Sequence, residues 1–459
     1  MSSYGSAPGT IDVGEVIDKS PVRPLHYGIF TLCALCMIMD GFDVQALGFV
    51  APAIIREWKI APSELGKVFA ASNFGVLVGQ LTFTMIADRI GRRPVLIGGT
   101  IAFSVLVILT GMVGSVDQLL LMRFIAGTAL GSIIPNATTL IGEFSPKSVR
   151  IRLLTYIGIG FTLGAAIGGF VAAWMIPRFG WRWVFYFGGT VPLVIAALMW
   201  LWLPESLTLL VIRNMKLDYV AKWVKNLRPS AEITPATRFV VKEESRKGVP
   251  VMHIFREGRG VATLMLWVVF FMNLFNLYSL ASWVPTIVTG AGYPVQTAVL
   301  IGTMIQVGGT ISPFLLAWLV MRTGFIPMLT ATFIVAAIAI GAIGQLITVS
   351  LALLVVAVLI AGAGNTGAQP SLNALGATYY PTYLRSTGLG WCLGIGRAGS
   401  IVGPYVTGMF QAWMWSPQDI FMALTVPALI SAVMIFMLQF AMGTSMAARP
   451  HAEASAAAH

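Results

Sequence analysis

Charge is scarce in this sequence of 459 residues. Only 10% of the residues are Asp, Glu, Lys or Arg, whereas soluble domains carry about 25%. Hydrophobic residues make up 57% of the chain. This balance excludes a soluble globular protein and indicates a multi-pass membrane protein whose partner is the lipid bilayer.

Histidine and cysteine are also rare, with four and three residues. The histidines fall near helix ends, in loops or in the tail, so we expect no catalytic residue, no metal and no cofactor. Cys33 and Cys36 have the spacing of a redox motif, but inside an apolar helix this pair is more typical of packing. A membrane-embedded enzyme is therefore disfavoured. A sensor is disfavoured too, because the central loop has little apolar content for an output domain.

Long apolar runs dominate the rest of the chain, and each of them is about 20 residues or longer, enough for a transmembrane helix. They begin near residues 26, 64, 94, 118, 151, 182, 261, 296, 326, 350, 385 and 416. The predicted fold is an all-α membrane protein of twelve transmembrane helices, six on each side of a polar segment, Pro204 to Gly260. The first 25 residues contain three acids and no apolar core, so no cleavable signal peptide is predicted.

The basic residues predict the topology, because Lys and Arg in short loops are retained in the cytoplasm. Most of the 29 fall in segments that share one side when the N-terminus is inside. The net charge of +11 is therefore a topology signal and indicates no nucleic-acid partner. We expect two cytoplasmic tails (1–25 and 442–459), two six-helix bundles (26–203 and 261–441) and a cytoplasmic linker (204–260).

An internal repeat relates the two halves. At an offset of 233, Asp40 aligns with Asn273, Asp43 with Asn276, and Pro52 with Pro285; at an offset of 235, the aligned pairs are Pro135 with Pro370 and Gly164 with Gly399. Both halves run in the same sense. The repeat predicts a pseudo-two-fold axis along the membrane normal and a site between the bundles near mid-depth.

Two acids lie inside the first apolar run, in Asp40-Gly41-Phe42-Asp43. A charge at the centre of a bilayer costs at least about 2.5 to 3.5 kcal/mol, so the pair predicts a proton or substrate site. The alternative is that both acids are permanently paired with cations. Arg123, near the outer end of span 4, is a candidate partner for either acid.

The second half has no acid deep in the membrane, since only Asp419 and Glu453 follow residue 260. Carboxylate-based proton coupling must therefore lie in the first half. Arg397 lies near the middle of span 11, and we predict that it binds the carboxylate of a substrate. It could instead cap backbone carbonyls or reach an acid of the first half.

Polar and aromatic side chains of the second half predict the rest of this pocket. Asn365, Gln369 and Asn373 recur every four residues in span 10 as one polar stripe. The remaining predicted binding residues are Asn273, Asn276, Tyr278, Trp283, Gln306 and Trp391. Amides, a hydroxyl, indoles and a guanidinium suit a flat ring with a carboxylate, although each aromatic alone is more typical of packing or of an interfacial belt.

The segment Asp88-Arg89-Ile90-Gly91-Arg92-Arg93-Pro94 resembles the D-R-x-G-R-R signature of the major facilitator superfamily. Glu143 with Arg150, and Pro204-Glu205-Ser206, are similar to two further elements of that superfamily. Physically, these acids and arginines can form an ion-pair network that closes the cytoplasmic side. The alternative is that the cluster serves only positive-inside retention. The predicted gate comprises Asp88, Arg89, Arg92, Arg93, Glu143, Arg150 and Glu205.

A narrower resemblance covers nearly the whole chain. Asp40-Gly41-Phe42-Asp43, Pro135-Asn136-Ala137-Thr138-Thr139-Leu140, Tyr380-Pro381-Thr382 and Gly394-Ile395-Gly396-Arg397 resemble the aromatic acid:proton symporter family. The resemblance implies uptake of hydroxybenzoate, protocatechuate, benzoate or gentisate across a bacterial inner membrane during aromatic catabolism. It also implies that the span 1 aspartates and the arginines of spans 4 and 11 are required. Met321 departs from the pattern, where many relatives keep an acid.

These observations predict a short transport cycle by a monomer. Asp40 or Asp43 takes up a proton while an aromatic carboxylate docks on Arg397 and the amides, and the bundles then rock. Asp40, Asp43, Arg123 and Arg397 sum to zero charge, so one anion plus one proton keeps the core neutral. A sugar or other organic-acid symporter is the first alternative, and a drug antiporter is a more distant one.

Overall fold

The computed structural model describes residues 10–228, 234, 237–241, 251–381 and 383–447. Parts of the predicted tails and linker, and the motif residue Thr382, lie outside these residues. Helices make up nearly all of the described chain. Its short strands, β1 (Thr10–Asp12) and β2 (Arg238–Val240), pair in parallel.

The membrane-length helices begin within four residues of the predicted starts, and they are numbered here as spans 1 to 12. Spans 1 to 6 are Pro24–Trp58, Pro62–Ile90, Arg92–Thr110, Val116–Leu130 with Ile133–Phe144, Lys147–Phe179 and Arg182–Trp202. Spans 7 to 12 are Gly260–Gly290, Val295–Thr323, Phe325–Leu346, Leu351–Asn365 with Gln369–Tyr379, Arg385–Ala412 and Pro417–Ala447.

Eleven of these spans are long and apolar enough to cross a membrane. The remaining one, span 11, is a helix of 28 residues rich in glycine and carrying Arg385 and Arg397, which lower its mean hydropathy. Its packing between spans 2 and 7 places it inside the bundle. The all-α, twelve-helix fold predicted from the sequence is confirmed.

Spans 4 and 10 are each interrupted at the same point of the repeat. Span 4 ends its first helix at Leu130 and resumes at Ile133; span 10 stops at Asn365 and resumes at Gln369. Pro135 and Pro370 follow each break, and a proline lacks the N–H that a continuous helix would need. The polar stripe of span 10 therefore does not lie on one straight helix.

The two halves repeat the same close contact between their first and fifth helices. A Cβ atom on Gly164 of span 5 would lie 1.9 Å from the carbonyl oxygen of Ile38 in span 1. On the equivalent Gly399 of span 11 it would lie 2.2 Å from that of Phe271 in span 7. Only glycine permits this approach of backbones, so the glycines aligned by the repeat fix the same packing twice.

The N-terminal segment and the linker lie at one end of the bundle, called here the inner end. The helix Val13–Asp18 buries Val13, Val16 and Ile17 against spans 4 and 5 and the linker helices. The linker contains the helices Leu207–Ile212 and Leu217–Leu227 and the 3-10 helix Val251–Phe255. Residues 10–18, predicted as a tail, are thus folded onto the first half.

The halves meet through the outer parts of their helices. Asn73 of span 2 donates to the Ser400 carbonyl of span 11 at 3.2 Å, and a Cβ atom on Gly169 of span 5 would lie 1.9 Å from Thr303 Oγ1 of span 8. Towards the inner end, the first turns of spans 5 and 11, which belong to the same interface, are mostly exposed or half-buried. This conformation is closed at the outer end and parted at the inner end.

Candidate functional site

A buried ion pair joins span 1 to span 4. Arg123 donates to both carboxylate oxygens of Asp43, through Nη1 at 3.0 Å and Nη2 at 2.6 Å. Both side chains are 1% exposed, and the guanidinium also lies over the Phe185 ring, 5.7 Å from its centroid. The partner predicted for Arg123 is therefore Asp43, held in the two-pronged geometry that arginine makes with carboxylates.

Asp40, one turn earlier on span 1, has a different environment. Its side chain is also 1% exposed, yet its Oδ2 atom has no hydrogen-bond partner. Within the described ranges no salt bridge reaches it, and Arg397 and Asp43 act on it electrostatically. An unpaired carboxylate is costly to bury, so this position favours a group that gains and loses a proton.

Arg397 stands at the interface of the halves, as the sequence predicted for an anion site. Its guanidinium is half-buried and donates through Nη1 to the Tyr278 hydroxyl at 3.0 Å. It forms no salt bridge with an acid in the part of the chain that the structure describes. The alternative of a locked pair with Asp40 or Asp43 is therefore not what this conformation contains.

The amides of spans 7 and 10 form a short hydrogen-bonded chain. Asn273 donates to Gln369 Oε1 at 2.7 Å, and Gln369 donates to Asn373 Oδ1 at 2.8 Å. The Asn273 Oδ1 atom remains buried without a partner. Asn365 is separate, because it lies before the break in span 10 and donates to the Ala361 carbonyl of its own helix.

Other predicted binding residues are used for packing in this conformation. Asn276 is fully buried and donates to the Leu424 carbonyl of span 12 at 3.0 Å. Trp283 is fully buried, with its indole N–H donated to the Pro404 carbonyl at 2.7 Å. Asn273, Asn276 and Trp283 thus contact three different neighbours in this conformation, and their role in binding substrate stays a prediction.

The two remaining predicted residues differ in exposure. Gln306 is 2% exposed and its Oε1 has no hydrogen-bond partner. Trp391 is 41% exposed and stacks on Trp267, with ring centroids 5.7 Å apart. Neither contacts the amide chain directly, so the structure leaves their proposed role as a prediction.

The predicted gate residues gather at the inner end of the first half. Arg92 pairs with Glu143 at 3.0 Å and with Asp88 at 3.7 Å. The Glu205 carboxylate accepts the backbone N–H groups of Arg92 and Arg93 at 3.0 and 3.1 Å. It thus caps the N-terminus of span 3, where negative charge is favoured. Each of these contacts joins two segments of the first half.

Arg150 of the predicted gate pairs with an acid outside that set of residues. It forms a salt bridge with Asp18 of the N-terminal helix and donates through Nε to the Ser145 carbonyl at 3.1 Å. The Arg93 guanidinium donates to the Trp200 carbonyl, and Arg89 is exposed. The physical reason is the folded-back N-terminal segment, which brings an acid to Arg150 that sequence spacing could not reveal.

A polar cleft between the halves was missed by the sequence analysis. It lies between spans 1, 2 and 7 and is lined by Gln45, Phe69, Ser72, Asn73, Tyr278 and Ser282, among others. One available signal was the repeat, since Gln45 aligns with Tyr278 at the offset of 233. The cleft shares Tyr278 with the Arg397 site.

Comparison with known proteins identifies the family. A family model described as Major Facilitator Superfamily matches residues 33–404. A 4-hydroxybenzoate transporter of Pseudomonas putida is 35% identical over 94% of this chain and 96% of the relative. A gallate transporter of Pseudomonas putida is 34% identical over 93% and 94%, and a benzoate transport protein of Acinetobacter baylyi is 31% identical over 93% and 92%.

Solved structures share the fold at low sequence identity. A D-xylose-proton symporter aligns with a TM-score of 0.71 at 15% identity, covering 90% of this chain and 97% of the other. A bacterial homologue of the human lysosomal transporter Spinster aligns with a TM-score of 0.65 at 18% identity, covering 93% and 98%. These likenesses concern the fold alone.

Proposed function

Since the chain belongs to the major facilitator superfamily, a family of transporters and not of enzymes, we propose that it imports aromatic carboxylates together with protons. Its curated relatives include carriers of 4-hydroxybenzoate, gallate and benzoate. All three substrates are a flat ring with a carboxylate, the chemistry that the sequence of this chain predicts for its pocket.

The observation that carries this proposal is the unequal use of the two span 1 acids. Asp43 is locked to Arg123, whereas Asp40 has a free carboxylate oxygen and Arg397 acts on it electrostatically. We assign proton uptake to Asp40, and to Asp43 the role of fixed partner of Arg123. Arg397, which has no acidic partner within the described residues, is the site for the substrate carboxylate.

The proposed cycle keeps the core neutral. Asp40, Asp43, Arg123 and Arg397 sum to zero when all are ionised, so one aromatic anion and one proton enter together without added charge. The substrate ring then lies near Tyr278 of span 7, whose hydroxyl accepts a hydrogen bond from Arg397 of span 11 within the second half. Rocking of the halves exposes this site alternately to each side.

We propose a bacterial inner-membrane location with both termini in the cytoplasm, and a monomer as the working unit. The inner end of the structure is then the cytoplasmic end, and this conformation is the one that releases substrate. The bundles 26–203 and 261–441 act as the two rocking bodies, joined by the linker 204–260 between the tails 1–25 and 442–459. The gate contacts of the first half hold its inner helix ends as one body in this conformation, and we expect residues such as Arg89 to find partners in the second half when the inner end closes.

Uptake by purified protein in liposomes tests the function. Labelled benzoate, 4-hydroxybenzoate and gallate are offered with and without an inward proton gradient, and with xylose as a sugar control. We expect accumulation of at least one aromatic acid that an uncoupler abolishes, and no accumulation of xylose. Accumulation that ignores the uncoupler, or that favours the sugar, contradicts the proposal.

A further inference from the structure

We infer that the polar cleft beyond Tyr278 recognises a hydroxyl group on the substrate ring, with Gln45 as the residue that determines this specificity. The inference rests on the proposed function, since it takes the substrate carboxylate to bind Arg397. The cleft is defined by Gln45, Phe69, Ser72, Asn73, Tyr278 and Ser282, with apolar neighbours from spans 1 and 2.

The first argument is the unused hydrogen-bonding capacity of the cleft. Gln45 is 3% exposed and Ser282 is 7% exposed, and Ser72 is half-buried. In the part of the chain described by the structure, none of these three side chains has a hydrogen-bond partner. The Gln45 amide therefore has hydrogen-bonding capacity that a hydroxyl group of the ligand can use.

The second argument is position. Gln45 lies five residues beyond Asp40 on span 1, about 7.5 Å along the helix towards the outer end. Tyr278 bridges the two places, because its hydroxyl contacts Arg397 and its side chain lines the cleft. The cleft has a free volume of about 10 Å³, which has room for one hydroxyl group and not for a ring. A ring whose carboxylate binds Arg397 would therefore stay beside Tyr278 and place only its far hydroxyl in the cleft, at Gln45.

The third argument is the shape of the cleft walls. The Phe69 ring is held against Trp283, with centroids 5.2 Å apart, and the Trp283 indole is itself fixed to the Pro404 carbonyl. Asn73 uses its amide N–H groups on the carbonyls of Phe69 and Ser400. The wall is therefore rigid, while the amide of Gln45 remains available to donate or accept.

Buried polar groups reject a ligand that leaves them unpaired more strongly than apolar pockets reject an added hydroxyl. The wild-type protein should therefore take up 4-hydroxybenzoate with a higher kcat/KM than benzoate. In Gln45→Leu we expect the ratio of these two values to fall roughly tenfold, the effect of one net hydrogen bond. Benzoate uptake itself should persist, because Arg397 and Asp40 are untouched.

The experiment compares uptake of benzoate, 4-hydroxybenzoate and 2-hydroxybenzoate in liposomes by the wild type, Gln45→Leu and Ser282→Ala. Ser282→Ala removes a single hydroxyl and serves as the second probe if Gln45→Leu fails to fold. Gln345→Leu is the matched control, because Gln345 is exposed near the outer end of span 9. The 2-hydroxyl lies beside the carboxylate, so its recognition should be unaffected in every variant.

The outcomes separate the two hypotheses. If the wild type accumulates no aromatic acid, the proposed function fails. If the wild type accumulates them but Gln45→Leu and Ser282→Ala leave the 4-hydroxybenzoate to benzoate ratio within twofold of wild type, the cleft inference is overturned and the function stands. A ratio that falls for 2-hydroxybenzoate as strongly as for 4-hydroxybenzoate also overturns it.

Discussion

Replacing Asp40 with Asn should uncouple transport from the proton gradient without unfolding the protein. The Asp40 Oδ2 atom has no hydrogen-bond partner and no salt bridge reaches the side chain within the described residues. An amide of the same shape therefore removes a titratable group and breaks no contact. The matched variant, Asp43→Asn, breaks a salt bridge buried to 1% exposure. Leaving Arg123 buried without its partner should cost about 3 to 5 kcal/mol.

The magnitude of the transport effect follows from the coupling. One pH unit across the membrane is worth about 1.4 kcal/mol per proton, which supports a tenfold substrate ratio. With an inward gradient of about one pH unit and one proton per anion, the wild type should approach tenfold accumulation of benzoate, because neutral co-transport feels no membrane potential. Asp40→Asn should give a ratio near one.

The assay measures gradient-driven uptake and counterflow exchange in the same liposomes. Asp40→Asn should retain exchange, since Arg397 and the amides still bind the anion, and its melting temperature in detergent should match the wild type. Asp43→Asn should melt earlier. Near-tenfold accumulation by Asp40→Asn refutes the assignment, and so does a stable, well-folded Asp43→Asn that alone loses coupling.

Three further outcomes are expected. Arg397→Lys keeps the charge but loses the two-pronged fork, so the KM for benzoate exchange should rise roughly ten- to a hundredfold at equal protein content on immunoblots; an unchanged KM removes this residue from the site. Glu205→Gln weakens the cap on span 3, and chemical unfolding should show a loss of about 1 kcal/mol, whereas unaltered stability argues against the cap. Gly169→Val collides with Thr303 and should hold the outer end open. A cysteine introduced as Ala281→Cys should then react faster with a maleimide added outside, and the three native cysteines, which are buried, add little background. Unchanged labelling refutes the seal at the outer end.

Much of the architecture could be predicted because it depends on local pattern. Apolar run length fixed the spans to within a few residues, since a bilayer demands helices of a set length. The repeat predicted that glycines such as Gly164 and Gly399 occupy equivalent places, and both make the same backbone contact. Arg397 could be recognised from the sequence because it lies deep in a half that has no acid at membrane depth.

Other features depend on which side chains meet, and periodicity does not determine that. The i, i+4 spacing placed Asn365 with Gln369 and Asn373, but the helix breaks between the first two. Trp283, predicted to bind substrate, is a buried anchor on the Pro404 carbonyl in this conformation. A helix break in the first case and a contact between spans in the second set where these side chains lie.

The sequence by itself determined that this chain folds in a lipid bilayer, that it has twelve spans, and that the deep carboxylates lie in the first half, because these properties depend on composition and repeat alone. Only the tertiary structure decided that Asp43 pairs with Arg123 while Asp40 forms no salt bridge, that Arg150 binds Asp18, and that Gln45 lines a small polar cleft. The physical reason is that a charge or an amide acts through its neighbours within a few ångströms, and those neighbours come from helices far apart along the chain.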